Sequence, residues 1–188
     1  MAIDVETGLT WEELEAGLPE VLRAPRGAGT VELIACRPEE GERSVLEEAQ
    51  LDLQLGLVGD MWHRRKSKRT GAVNPKAQIT LMNARATNLV AGGDRERWAL
   101  AGDQLYVDLD LSETALPAGS RLAVGTAVLE LTDEPHTGCA KFRARFGSAA
   151  LKLVNGREHR HLRLRGANAK VVEPGVVRRG DAISVLPG

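Results

Sequence analysis

From residue 30 to residue 186 the chain is cut by Gly, Pro and Asp into β-prone stretches of four to eight residues, at 30–37, 76–82, 104–110, 121–124, 127–132, 169–173 and 181–186. Runs this short, bounded this often by turn residues, read as strands and not as helices. Residues 44–60 add extended chain around Val45, Leu51, Leu53 and Leu55 that closes on the turn Gly56-Leu-Val-Gly-Asp60. Three helical segments interrupt the pattern. Thr10-Trp-Glu-Glu13 is a capping box and predicts a short helix over 10–17. Asn83 caps a helix through about Ala91, which Gly92-Gly93 stops. Residues 138–154, with Phe142 and Phe146 at i, i+4, predict helix broken at Gly147. The expected fold is mainly β with short helices (α+β), a curled, barrel-like sheet.

A length of 188 residues suits one compact domain. Only Trp11, Trp62, Trp98, Tyr106, Phe142 and Phe146 are aromatic, so the core must be aliphatic. So few aromatics also argue against a stacking platform for single-stranded nucleic acid. No window reaches the roughly 18 uninterrupted apolar residues of a membrane span, and residues 1–10 lack an apolar leader, which sets the expectation of a soluble cytoplasmic protein with no membrane partner. The formal net charge of −1 conceals a division. Residues 1–60 carry four basic and fourteen acidic side chains, a balance of −10, and residues 61–188 carry twenty-one and twelve, a balance of +9. An acidic front and a basic rear that attract one another would account for it. The two cysteines, Cys36 and Cys139, are too few for a disulfide framework. Cys36 sits in a strand-like run, where a thiol is a small core residue.

Four places could carry chemistry. In His136-Thr-Gly-Cys139-Ala-Lys141-Phe-Arg143-Ala-Arg145 a loop presents a cysteine where a helix begins. A helix N-terminus and nearby cations both favour thiolate, so Cys139 is either a reactive thiol or a helix-capping side chain. In the segment 155–165, a hairpin-like turn followed by a strand would place Arg163 and Arg165 on one face with His159 and His161, suited to an anion or simply solvated. The segment from Arg64 to Arg69 holds five basic residues in six and reads as a mobile loop, a solvated linker or a cover for an anionic ligand. Finally, His136, Cys139, His159 and His161 have spacings compatible with zinc, although their separation is not that of a finger.

Five pieces occur in an order that resembles the MOSC domain family, named for the C-terminal part of molybdenum cofactor sulfurases: Gly56-Leu-Val-Gly-Asp60, Gln78-Ile-Thr-Leu81, Asn88-Leu with the later run from Leu116 to Gly125, the lone Cys139, and the run from Arg165 to Asp181. The resemblance covers about residues 30–186, leaving 1–29 as an N-terminal extension with a short helix and 30–188 as the MOSC-like domain of a small, stand-alone, bacterial-type member. It implies a barrel-like β fold and an anionic pterin, the molybdenum cofactor, as ligand. It also implies Cys139 as the catalytic sulfur carrier or molybdenum ligand, serving sulfur transfer through a persulfide or molybdenum-dependent reduction of N-hydroxylated compounds. Lys141, Arg143, Arg145, Arg163 and Arg165, with Asp60 of the Gly-Asp turn, are the expected cofactor-binding residues. Much of the family has Pro before the cysteine, where this chain has Gly138, and many members read Gly-Asp-Arg-His where it reads Gly59-Asp-Met-Trp62. The chain is too short to contain a pyridoxal-phosphate desulfurase domain, so that cofactor would belong to a cysteine desulfurase partner in trans, if to any; a redox partner is the other implied possibility. The alternative function is a non-catalytic binding module whose basic surface meets an anionic protein or nucleic acid.

Overall fold

In the computed structural model, which describes residues 8–66 and 70–188, the order is α1 (Trp11–Leu22), β1 (Ala28–Cys36), β2 (Ser44–Leu46), β3 (Glu48–Asp52), β4 (Gly56–Leu57), β5 (Ile79–Asn83), α2 (Ala84–Val90), β6 (Leu105–Asp108), β7 (Arg121–Val124), β8 (Ala127–Leu131), α3 (Ala140–Asn155), β9 (Ala167–Glu173), β10 (Gly175–Arg178) and β11 (Ala182–Val185). The long strand β1 closes the sheet. Its first half pairs with β11 and its second half with β2, while β6 runs along its other edge. Following the ladders gives the ring β1-β6-β5-β9-β8-β7-β11 and back to β1, a closed seven-stranded barrel in which β5 and β6 are parallel and the other neighbours antiparallel. The parallel pair needs a crossover, and α2 supplies it. Closure leaves the seven strands without a long free edge. A separate three-stranded sheet, β10-β3-β4, lies beside the barrel.

The two faces of the barrel wall feed two cores, because side chains alternate along a strand. Ile34, Leu81, Leu105, Val107, Leu129 and Ile183 belong to an aliphatic cluster with Cys36 and Leu57. Leu33, Ala35, Met82 and Tyr106, on the opposite parity of β1, β5 and β6, belong to a second cluster with the helices, including Leu14, Val90, Trp98, Phe142 and Phe146. Four of the six aromatics therefore sit in the flank between wall and helices, with the Phe142 and Phe146 rings 4.8 Å apart.

Locally determined elements match the sequence reading. Thr10 and Glu13 form the capping box, the Asn83 side chain accepts from the amides of Arg85 and Ala86, and Gly147 (φ 91°, ψ 168°) breaks α3. Other boundaries differ. Helix α1 continues through Gly17 and Pro19 to Leu22 because burial of Leu14 and Val21 against the flank outweighs those breakers; Gly17 also lets α2 approach, since a Cβ there would lie 2.3 Å from Leu89 Cδ1. Residues 75–77 form a 3-10 turn, so the strand starts only at Ile79. Strand β10, inside the Gly-Val-Val-Arg run, was not anticipated, nor was the 3-10 turn Arg95–Ala101. The segment expected as hairpin and strand is instead a 3-10 turn, Arg157–Leu162, ended by Arg163 in the left-handed conformation (φ 47°), so His159, His161, Arg163 and Arg165 share no strand face. Of the basic loop, residues 67–69 lie outside the described residues, as do Asp4 and Glu6.

The acidic front and the basic rear do attract one another. Arg64 pairs with Glu39, Arg85 with Glu20, Arg95 with Glu32, Lys141 with Glu40, Arg178 with Glu48 and Arg179 with Glu47. Among the described residues no helix is long and apolar enough to cross a membrane.

Candidate functional site

The 3-10 turn Arg95–Ala101 ends at Gly102, whose left-handed backbone (φ 92°) exposes the last carbonyls of the turn. Such carbonyls have no partner within the turn and carry partial negative charge. Three arginines from three distant elements take them: Arg145 Nη1 donates to Leu100 O (2.7 Å), Arg165 Nη2 to Ala101 O (2.9 Å) and Arg37 Nη1 to Gly102 O (3.1 Å). A fourth, Arg43, lies over the same turn, since a Cβ on Gly102 would be 3.5 Å from its Nη2.

Two fully buried carboxylates hold two of these cations. Asp60 accepts from Arg37 Nε (2.9 Å) and Nη2 (2.8 Å), and also from the backbone amides of Arg37 and Trp62. Asp103 accepts from Arg165 Nη1 (2.5 Å) with one oxygen and meets His136 Nε2 (2.7 Å) with the other. Burial pushes the Asp103 carboxyl up, but Arg165 and His136 outweigh it and bring it down to about 2. Since Asp103 is then a carboxylate, His136 Nε2 must carry the proton it shares with it. Burial and the Arg165 charge hold the His136 pKa below the ordinary range, so the imidazole is neutral at pH 7. The Tyr106 hydroxyl accepts from the Asp103 amide (3.2 Å), and burial beside Asp103 keeps it a phenol.

Cys139 stands at the edge of this cluster as the N-cap of α3, exposed, in extended conformation. Its side chain makes no formed capping hydrogen bond. Partial desolvation works against the thiolate, yet the amides of Phe142 and Lys141 and the charges of Arg165 and Arg145 prevail and lower the pKa below the ordinary thiol range. The approach to the sulfur is fixed from both sides. Asn155 clamps Gly138 through N–H to Oδ1 (2.8 Å) and Nδ2 to O (3.0 Å), and a Cβ on Gly138 would lie 2.6 Å from Leu151 Cδ1, which explains why glycine precedes the cysteine here. Arg165 stacks over Phe142, one turn into the helix, with Cζ 5.2 Å from the ring centre. Gly166 (φ 110°) lets the chain pass beneath His136; a Cβ there would meet Leu81 O at 2.1 Å.

The expected residues divide. The charges of Arg165 and Arg145 act on the Cys139 thiol and lower its pKa. Lys141 is exposed and paired with Glu40 (2.6 Å), and Arg143 is exposed. Arg163 points away, donating to Leu116 O (2.6 Å) and Leu111 O (3.3 Å). Asp60 spends its oxygens on Arg37 and the 60–62 turn. Among the described residues no group of three or more His, Cys, Asp or Glu could hold a metal ion, so the zinc set is not assembled: His136 is bound to Asp103, and His159 lies on a different turn. Arg64, a cation of the proposed basic surface, is tied to Glu39 and to Pro38 O. Arg37, Arg43 and Asp103 were not singled out from the sequence; a faint signal was that two of the only four basic residues in the acidic front flank one loop after a strand. A cleft of about 280 Å³ lined by Val21, Asn83, Asp110, Ser112 and His161 lies elsewhere and includes none of these groups.

Comparison with known proteins gives a match to the MOSC domain over residues 60–184. Among solved structures, the YuaD protein from Bacillus subtilis superposes with a TM-score of 0.63 at 20% identity, covering 86% of this chain and 97% of that one. YiiM from Escherichia coli gives 0.55 at 17% identity, covering 85% and 70%, and YiiM from Geobacillus stearothermophilus 0.56 at 14%, covering 85% and 75%. These likenesses are of fold. No curated protein matches.

Proposed function

The chain belongs to the MOSC domain family, whose members are associated with molybdenum cofactor binding, and from that footing we propose that it binds this cofactor and uses Cys139 for sulfur transfer. The observation that carries the reading is an exposed thiol at the start of α3, its pKa lowered by the helix amides and by the charges of Arg165 and Arg145. The donor set fits the group: molybdenum favours a soft thiolate, and the pterin's phosphate favours planar guanidinium donors. When bound, the cofactor supplies a redox-active metal.

The chain's own residues do the rest. Arg145 and Arg165 would hold negative charge next to Sγ, and Asp103 keeps Arg165 in place. His136, neutral and anchored through Nε2–H, fixes the loop that leads to Cys139. As a carrier, the Cys139 thiolate attacks the outer sulfur of a persulfide on a partner cysteine desulfurase. The new S–S bond forms as the donor S–S bond breaks, and the donor leaves as thiolate with no net oxidation. The exposure of Cys139 favours this over service as a metal ligand in the reduction of N-hydroxylated compounds, because a partner protein must reach the sulfur. Mass spectrometry of the intact native protein tests both readings. An added sulfur atom that disappears in Cys139→Ala is the expected result, together with a retained or acquired pterin; equal sulfur labelling of the variant excludes Cys139 as carrier.

A further inference from the structure

The break at Gly147 folds α3 back on itself. A straight helix of its 16 residues would be about 24 Å long and would keep its ends apart. Instead Asn155, the last residue of α3, lies against Gly138, the residue before its N-cap: Gly138 N donates to Asn155 Oδ1 (2.8 Å), and Asn155 Nδ2 donates to Gly138 O (3.0 Å). The carboxamide acts as a peptide-like rung, with one donor and one acceptor matched to the backbone. Leu151 and Val154 pack behind it, since a Cβ on Gly138 would lie 2.6 Å from Leu151 Cδ1 and 3.1 Å from Val154 Cγ2. Both polar groups of the Gly138 backbone therefore rest on one side chain, and Cys139 is the next residue.

That side chain belongs to a chemically labile dipeptide. Asn155 precedes Gly156, and a glycine, having no Cβ, leaves its amide nitrogen open to approach the neighbouring carboxamide. None of the other four asparagines combines these conditions. Asn74 precedes a proline, whose nitrogen has no proton to lose; Asn83 and Asn168 are buried; Asn88 precedes a leucine inside α2. Asn155, by contrast, is exposed and ends a helix. The bond from Gly156 N to Leu153 O is long there (3.3 Å), and the last turn of a helix opens readily.

We infer that Asn155 is a modification site, at which spontaneous deamidation releases the clamp and sets a carboxylate against the Gly138 backbone, one residue from Cys139. The Gly156 nitrogen gives its proton to hydroxide and attacks the side-chain carbonyl carbon of Asn155. The new C–N bond closes a succinimide ring as the bond to the amide nitrogen breaks, and ammonia leaves with a proton taken from water. A second water opens the ring at either carbonyl, giving aspartate or isoaspartate with no change of oxidation state. A carboxylate at 155 can still accept from Gly138 N–H, but it has no donor for Gly138 O, and its second oxygen is turned toward that carbonyl. Its charge opposes those of Arg165 and Arg145 and disfavours the thiolate. The reaction needs only water, so loss of the clamp marks the age of the molecule and quiets its thiol. Only that consequence rests on the role proposed for Cys139; the deamidation itself does not.

Incubation of the full chain at about 37 °C and about pH 8.5 for about two weeks, followed by peptide mass spectrometry, tests the idea. The mass gain of exchanging NH2 for OH should appear at Asn155 ahead of the other asparagines, and several-fold faster in guanidinium chloride, where the clamp is absent. Alkylation of Cys139 by iodoacetamide at neutral pH should fall in step with the deamidated fraction. Gly156→Ala should slow the mass gain about tenfold and hold the alkylation rate through the same incubation. A Cβ there would press on the end of the Glu158 side chain (2.9 Å) and on Lys152 O (3.1 Å), contacts that a small shift relieves. Fresh Asn155→Asp should reproduce the aged protein, with the half-maximal alkylation pH of Cys139 raised by about half a unit and the neutral rate about threefold lower. Cys36 reports in the same samples on the fold: it is buried, and its alkylation should not rise, as it would in a merely loosened chain. Because these readouts do not use sulfur labelling, a protein that never carries a persulfide leaves the inference standing, and an inert Asn155 leaves the sulfur-transfer reading standing. No mass gain at Asn155 in the folded chain, equal rates with and without denaturant, or an Asn155→Asp alkylation profile superimposable on that of the wild type would overturn the inference.

Discussion

The two cysteines of this protein each lie beside a buried carboxylate–arginine pair, and the environment drives them in opposite directions. Cys36 ends β1, turned into the aliphatic cluster with Leu57, next to Asp60 and Arg37. Burial and the Asp60 charge raise its pKa, and Arg37 opposes them only in part. Cys139 begins α3 outside the barrel wall, next to Arg165, and there the helix amides and the arginines prevail. The chemistry of the side chain is the same in both places. What differs is which member of the ion pair faces the sulfur, and whether free backbone amides do. Reactivity is thus assigned by secondary structure: a strand end that points inward disfavours the thiolate, and a helix start that points outward favours it.

Removing the anchors of the two pairs puts this contrast under the greatest stress. Asp103→Ala leaves Arg165 buried without a carboxylate and should cost about 3 to 5 kcal/mol of stability in urea unfolding, with Asp60→Ala costing a similar amount through Arg37. The two should differ in their side effects. Loss of Asp103 also releases His136 and the loop before Cys139, so thiol reactivity should change; loss of Asp60 should leave it alone. Equal disturbance of Cys139 by both variants would mean that the pairs are not separable. Acid gives a related test. Asp103, depressed to about 2 in the folded protein, contributes stability that is complete above the ordinary aspartate range and is lost as pH falls from about 4 through about 2, on the order of 2 to 3 kcal/mol. A wild-type unfolding free energy that falls over this window more than that of Asp103→Asn is the expected outcome; identical slopes would contradict the depressed pKa.

The thiols themselves provide the next test. At pH 7 iodoacetamide should alkylate Cys139 roughly a hundredfold faster than Cys36 in the folded protein, a ratio that should collapse in urea. Peptide mass spectrometry over time measures it, and comparable native rates would dissolve the contrast. Arg145→Met, which removes a cation acting on Cys139 without leaving a buried carboxylate unpaired, should move the half-maximal alkylation pH upward and slow the reaction at pH 7 a few-fold. A half-maximal pH that stays put would assign the activation to the helix amides and Arg165 alone.

How much of this could be foreseen follows from how far apart the interacting residues lie in the chain. The Asn83 cap, the Gly147 break and the Thr10 capping box act within four residues and could be read directly. The barrel closure was legible only as a tendency, because the pairing of β1 with β11 joins residues at opposite ends of the sequence. Cys139 and its arginine-rich neighbourhood were visible as a pattern, and of those arginines the charges of Arg165 and Arg145 act on the thiol. A strand would have carried Arg163 to the same side as Arg165; the left-handed turn at Arg163 sends it to the 111–116 carbonyls instead. Arg37, Arg43 and Asp103 stayed hidden because each looks ordinary locally: two arginines in an acidic stretch, and an aspartate after a glycine that reads as a turn. Their roles arise from the 100–102 carbonyls, on which side chains from the residue after β1, from α3 and from the segment before β9 converge.

Cys36→Ala is the mildest of these changes. The thiol is buried and behaves as a small apolar group, so losing its sulfur should leave a cavity about one atom in size and cost about 1 kcal/mol. Gly59 lies against it, with a Cβ there 3.7 Å from Sγ, so the adjoining turn can relax toward the space and hold the loss near the low end. Urea unfolding measures that cost, and sulfur labelling of the same variant carries the stronger message. The helix amides, Arg145 and Arg165 that activate Cys139 do not pass through Cys36, so the label should be undiminished. Loss of the label in Cys36→Ala, with the fold intact, would transfer the reactive sulfur to the strand end and reverse the assignment of the two thiols.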